Sequence, residues 1–185
     1  MIASATGIIR TNRRNNKEYR KLLHAAKSGE VIKMRNGLYI DADAAMSDLI
    51  DIKAIVPGGI LCMYSAWSYY SLTTQIPDAF YIAVERSRKI RLAAFPTIKL
   101  VFESEKILNI GHTTITRGPI TADITDLERS VCDAVKYRNK IGIDVMAEIL
   151  DNYLKKSDRD ITRLYRYAKS LRIANILSTY LAVKI

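Results

Sequence analysis

The sequence predicts an α+β protein: a helix-and-hairpin module at the N-terminus, then a mixed α/β domain whose second half is helical. Three observations predict it. The helix-forming run Lys17–Lys27 leads directly into a hairpin signal at Asn36-Gly37. Short apolar segments bounded by Pro, Gly and Asp fill the middle of the chain. From Thr125 onward, apolar residues recur every three or four positions, the period of a helix with one buried face.

Taken in order, Lys17–Lys27 places Tyr19, Leu22, Leu23 and Ala26 on one helical face. Ser28-Gly29 ends that helix. Val31, Ile32 and Met34 form a strand, and Leu38, Tyr39 and Ile40 its return. Asn36-Gly37 makes the turn, because both residue types accept positive φ cheaply. A helix running into a small hairpin tipped by Arg35 is how a winged helix-turn-helix presents itself to DNA. Only sixteen residues precede Lys17, and Asn12–Asn16 is a poor helix former, so the helical unit is expected to be shortened. A second helix is expected over Ala44–Ile55. Pro57-Gly58-Gly59 breaks the chain. Ile60–Met63 is brief and apolar, and Ser65–Tyr70 reads as a helix capped by Ser65. Phe80–Val84 and Ile98–Phe102 read as strands. Leu108–Ile110 and Thr113–Thr116 read as a hairpin around Gly111-His112. Thr125-Asp-Leu-Glu128 has the spacing of a capping box and opens a helix that buries Leu127, Val131, Ala134 and Val135. Val145–Leu154, Thr162–Leu171 and Ile173–Val183 complete the helical half.

Charge divides the chain into blocks. Residues 1–40 hold nine Lys or Arg against Glu18 and Glu30, a net of +7, while the whole chain is +10. Such crowding is the footprint expected of phosphate contacts. Residues 41–84 are acidic. Arg86, Arg88, Lys89 and Arg91 form a second basic run, and eight basic residues follow position 154. No linker or repeat separates the blocks. The junction falls near Asp41–Ala45, giving an N-terminal domain over 1–45 and a second over 46–185. Hydrophobic residues at 49% with 26% charged describe an ordinary globular composition. No apolar run approaches the roughly 20 residues needed to span a bilayer, and Met1–Arg10 is too short for a secretory signal. Cys62 and Cys132 are isolated and expected to be buried thiols. The expected compartment is the cytoplasm.

Other chemistries fare worse. His24 and His112 have no ligand-spaced partners, and no cofactor or metal is expected. No glycine-rich loop ends in Lys-Ser or Lys-Thr. Pro77-Asp78 followed by Glu103-Ser-Glu-Lys106 resembles a metal-nuclease pattern, but Ser104 stands where its second acid belongs. Asp126 and Glu128 favour a helix N-terminus, and Arg129 pairs with Asp133 at i,i+4. Tyr64, Trp67, Tyr69 and Tyr70 could stack bases, yet their helical spacing favours core packing.

Three segments carry a family resemblance. The first is Gly29-Glu-Val-Ile-Lys-Met-Arg-Asn-Gly-Leu-Tyr39. The second is Gly59-Ile-Leu-Cys-Met-Tyr-Ser-Ala-Trp-Ser-Tyr-Tyr-Ser-Leu-Thr73, followed by Gln75-Ile-Pro-Asp-Ala-Phe-Tyr-Ile-Ala-Val84. The third is Ile124-Thr-Asp-Leu-Glu-Arg-Ser-Val-Cys-Asp133. In order and spacing the chain resembles the AbiEi antitoxins of type IV abortive-infection toxin–antitoxin systems, a form of phage defence. The resemblance implies a winged helix-turn-helix joined to an α/β domain. It implies a non-enzymatic, DNA-binding autorepressor of a two-gene operon, with its own promoter DNA as partner. It also implies a nucleotidyltransferase-like toxin, countered without stable contact.

The expected DNA-binding residues follow from charge and placement. Arg35 reaches a phosphate or the minor groove from the wing, with Lys33 and Asn36 beside it. Lys17, Arg20, Lys21 and Lys27 hold phosphates along the helix. Arg13 and Arg14 form a basic arm. The competing class is a protein-interaction module whose basic surface only solubilises it; a metal-dependent nuclease ranks below both.

Overall fold

A four-stranded sheet and a five-stranded sheet, with nine helices, make up the described residues of the computed structural model, which are 2–3, 5–11, 16–46 and 50–182. The architecture is α+β. The chain divides into two compact units: 1–59 with 89–98 and 114–122, and 60–88 with 99–113 and 123–185. The 45/46 division read from the sequence falls inside the first.

In the first unit, β1 (Ile2–Ala3) and β2 (Ile8–Arg10) precede α1 (Asn16–Ser28). The hairpin β3 (Val31–Arg35) and β4 (Leu38–Asp41) follows. The sheet is antiparallel, in the order β1-β2-β4-β3. α1 forms because Leu22, Ala25 and Ala26 recur on one face, which packs with Ile9, Val31 and Tyr39. Gly29 and Gly37 both take positive φ, at the end of α1 and in the hairpin turn. Asn36 does not: among described non-glycine residues only Met63, Ser71 and Arg172 do. The turn therefore needs one permissive residue where the sequence suggested two. The described residues before the hairpin hold one helix, with strands ahead of it.

The single helix expected over Ala44–Ile55 is a correction. Its central part, 47–49, lies outside the described residues, and on either side stand two short helices, α2 (Ala42–Ala45) and α3 (Ile52–Ile55). Asp51 explains the second start. Its carboxylate accepts from the Ala54 N–H at 3.1 Å, a local bond that competes with continued helix.

In the second unit, β5 (Ile60–Leu61) leads into α4 (Met63–Tyr69). β6 (Phe80–Glu85), β7 (Ile98–Glu103) and α5 (Glu105–Leu108) follow. Next along the chain come β8 (His112–Arg117) and β9 (Ile120–Thr125), of which residues 114–122 belong to the first unit. The strand order is β7-β6-β5-β9-β8, with β5 antiparallel to β6 and parallel to β9. Helices α6 (Leu127–Ile141), α7 (Ile143–Leu154), α8 (Ile161–Ser170) and α9 (Ala174–Ala182) close the chain. Their buried faces meet Trp67, Cys62 and Ala83 in one core, with Met146, Ile149, Tyr153, Leu164 and Leu177 at its centre.

Three local expectations are corrected here. Ser65 does not cap α4; its hydroxyl accepts from the Tyr81 N–H at 2.9 Å, tying helix to strand. Leu108 ends a helix, so the hairpin forms later, between β8 and β9 around Gly118-Pro119. Thr125 is the last residue of β9 and not a cap. Asp126 caps α6, accepting from the Arg129 N–H at 2.8 Å. Glu128 turns inward instead of back to the cap, so no capping box forms.

Candidate nucleic-acid interface

The cations of α1 occupy one side of the helix. At about 100° per residue, Lys17, Arg20, Lys21, His24 and Lys27 fall within an arc of about 120°, and all five are exposed. The core residues Leu22 and Ala26 stand opposite. Glu18 lies off this arc. Among the described residues, none of the four cations meets a carboxylate. The face is thus positive and uncompensated along its length. His24, which the charge pattern alone leaves out, shares this side of the helix. Its spacing of seven from Lys17 was the available signal.

The hairpin distributes its polar residues differently. Lys33 stands opposite Tyr39, on the face of the sheet that α1 covers, and Arg35 stands opposite Leu38 on the other face. Residues two apart on a regular strand share a face. A register shift between Lys33 and Arg35 separates them and leaves Met34 without a partner in β4. Its side chain is buried, and its carbonyl accepts the N–H of Ala94 at 2.9 Å. Lys33, Arg35 and Asn36 are all exposed. Of the expected site residues, the structure therefore groups Lys17, Arg20, Lys21 and Lys27 on α1, and sets Lys33, Arg35 and Asn36 at the hairpin. Arg13 and Arg14 lie outside the described residues.

The acidic and aromatic motifs of the second unit are built into its interior. Arg129 is buried; its Nε donates to Asp133 at 2.9 Å, and one terminal nitrogen donates to the carbonyls of Ile107 at 2.5 Å and Ile110 at 3.0 Å. Burial alone would pull the guanidinium down, but Asp133 holds its pKa above the ordinary value. Glu128, also buried, accepts from the Asp160 N–H at 2.9 Å and the Tyr153 hydroxyl at 3.3 Å. Burial pushes the Cys62 and Cys132 thiols up, which makes both poor nucleophiles. Trp67 is fully buried, while Tyr64 and Tyr70 pack around the same core.

Two of the three nuclease-like acids are engaged, and the third, Glu105, is exposed in α5. Asp78 takes a 2.7 Å bond from Lys99, and Glu103 takes 2.5 Å bonds from Lys136 and Tyr137. Among the described residues, no three His, Cys, Asp or Glu side chains are grouped to hold a metal ion, and no helix is long and apolar enough to cross a membrane. No protein-family model matches the chain, and comparison with curated proteins finds no match.

Proposed function

We propose that this protein is a non-enzymatic, DNA-binding regulator of the AbiEi type: the antitoxin and autorepressor of a cytoplasmic type IV toxin–antitoxin system. The observation that carries the reading is the uncompensated cationic face of α1, backed by a buried apolar face and followed directly by a hairpin with exposed Arg35. In this reading α1 and the hairpin β3–β4 are the helix and wing of a winged helix-turn-helix. Lys17, Arg20, Lys21 and Lys27 neutralise phosphates, and Arg35 enters from the wing. Phosphate contacts of this kind set register and orientation, while base contacts supply specificity. The cognate toxin is a nucleotidyltransferase-like enzyme encoded beside this gene, countered without a stable complex.

The test is a fluorescence-anisotropy titration of the protein on duplex DNA from its own promoter over a range of salt concentrations. Four to six neutralised phosphates give a slope of log K against log salt of roughly −4 to −5. Absence of binding at low salt overturns the reading.

A further inference from the structure

We propose that the basic segment beginning at Lys89 supplies a second phosphate contact to this interface, through Lys89 and Arg91. The inference rests on the nucleic-acid reading above. It starts from a bond that joins two parts of the sequence sixty residues apart. The register shift in β3 turns the Met34 carbonyl away from β4, and the Ala94 N–H takes it at 2.9 Å. Segment 89–98 belongs to the first unit and lies beside the outer edge of the hairpin at that point. Three residues of chain span at most about 11 Å, so the backbone of Arg91 is confined close to Met34 and its exposed neighbours Lys33 and Arg35.

The side chains support the same use. Lys89 and Arg91 are exposed, and Ile90 between them is half-buried. No regular structure covers these three residues. No Asp or Glu occurs in 31–40 or in 89–98, and among the described residues no ion pair reaches Lys33, Arg35, Lys89 or Arg91. Lys33 and Arg35 on the edge strand, and Lys89 and Arg91 on the segment tied to it through Ala94, are thus exposed cations without an ion-paired carboxylate. Mutual repulsion among like charges is unfavourable in the free protein, and a polyanion relieves it. A duplex docked on the wing offers a continuous line of phosphates and fits this partner chemistry. Lys89 and Arg91, the end of the second basic run, then have the same role as the cations of α1, delivered by a tertiary contact within the first unit.

The experiment compares wild type, K89A/R91A, K89R/R91K and K17A/K21A by anisotropy titration. The probes are a promoter duplex and a scrambled duplex of equal composition, each across a salt series, with melting curves for every variant. Loss of two phosphate contacts should make the K89A/R91A slope less negative by about 1.8 on both duplexes, with the melting temperature unchanged and K89R/R91K resembling wild type. If K89A/R91A keeps the wild-type slope and affinity while K17A/K21A binds more weakly, this inference fails and the nucleic-acid reading stands. If K89R/R91K loses as much as K89A/R91A, charge is not the cause and the inference also fails. If wild type does not bind either duplex at low salt, both fail together.

Discussion

The indole N–H of Trp67 donates to the backbone carbonyl of Ser130 at 2.8 Å, and both residues are fully buried. The bond joins α4 to the first turn of α6. The ring also meets Tyr64 edge to face, with centroids 4.8 Å apart. The aromatic cluster of α4 is thus an anchor for the helical half, held by one polar contact within an apolar core.

Trp67→Phe should keep most of the packing and lose the donor. Losing a buried hydrogen-bond partner costs about 1–3 kcal/mol. Urea denaturation followed by circular dichroism should show a lower midpoint at unchanged slope. An unchanged midpoint would mean that the bond contributes nothing net.

The start of α6 gives a sharper comparison. Asp126 supplies the cap and also accepts from the Tyr167 hydroxyl at 2.9 Å, while the Thr125 hydroxyl bonds to Ser130 at 2.8 Å. Asp126→Ala should destabilise by about 0.5–2 kcal/mol, and Asp126→Asn by less, because an acceptor remains. Thr125→Val should cost less than Asp126→Ala. The reverse order in thermal melts would show that the buried Thr125–Ser130 bond outweighs the cap.

Gly111 is held at φ +65°, with its carbonyl accepting from the Asp126 N–H at 2.6 Å. A Cβ there would collide with the Cβ of Arg129. Gly111→Ala should therefore cost about 1–2 kcal/mol from backbone strain alone, and more through displacement of Arg129 from the Ile110 carbonyl. A variant as stable as wild type would show that this loop relaxes freely.

Stability should fall in acid through Glu103. Burial raises its pKa, but bonds from Lys136 and Tyr137 outweigh burial and hold the carboxyl below its ordinary value of 4.5. The folded-state pKa is thus below the unfolded one. The contribution is fully present above the unfolded value and is lost as pH falls through it toward the folded one. Glu103→Gln should accordingly be less stable than wild type near neutrality, with the gap narrowing below about pH 4.5. Paired denaturation curves across that range check the sign; a gap that widens in acid contradicts it.

Much of the fold is legible along the chain. The helix of residues 16–28, the hairpin of 31–41, the strands of 80–85 and 98–103 and the helices from 127 onward all announce themselves locally. Each depends on apolar period, a turn residue or a breaker within a few positions. The exposed cationic face of α1 is equally local, since helical spacing alone aligns Lys17, Arg20, Lys21 and Lys27. Other features depend on distant partners. Ser65 is drawn from a cap to Tyr81, sixteen residues away, and Glu128 is drawn inward to Asp160 and Tyr153. Thr125 completes a strand, so Asp126 becomes the cap. A register shift places Lys33 and Arg35 on opposite faces of the hairpin and frees the Met34 carbonyl for Ala94. By itself, then, the sequence determined most of the longer elements and the charged face of α1, because periodicity and turn chemistry act over a few residues. Only the tertiary structure decided which polar group each donor met and that the segment holding Ala94 lies against the hairpin edge. Those choices turn on hydrogen bonds between residues far apart in the chain, and burial makes an unmet donor or acceptor too costly to leave.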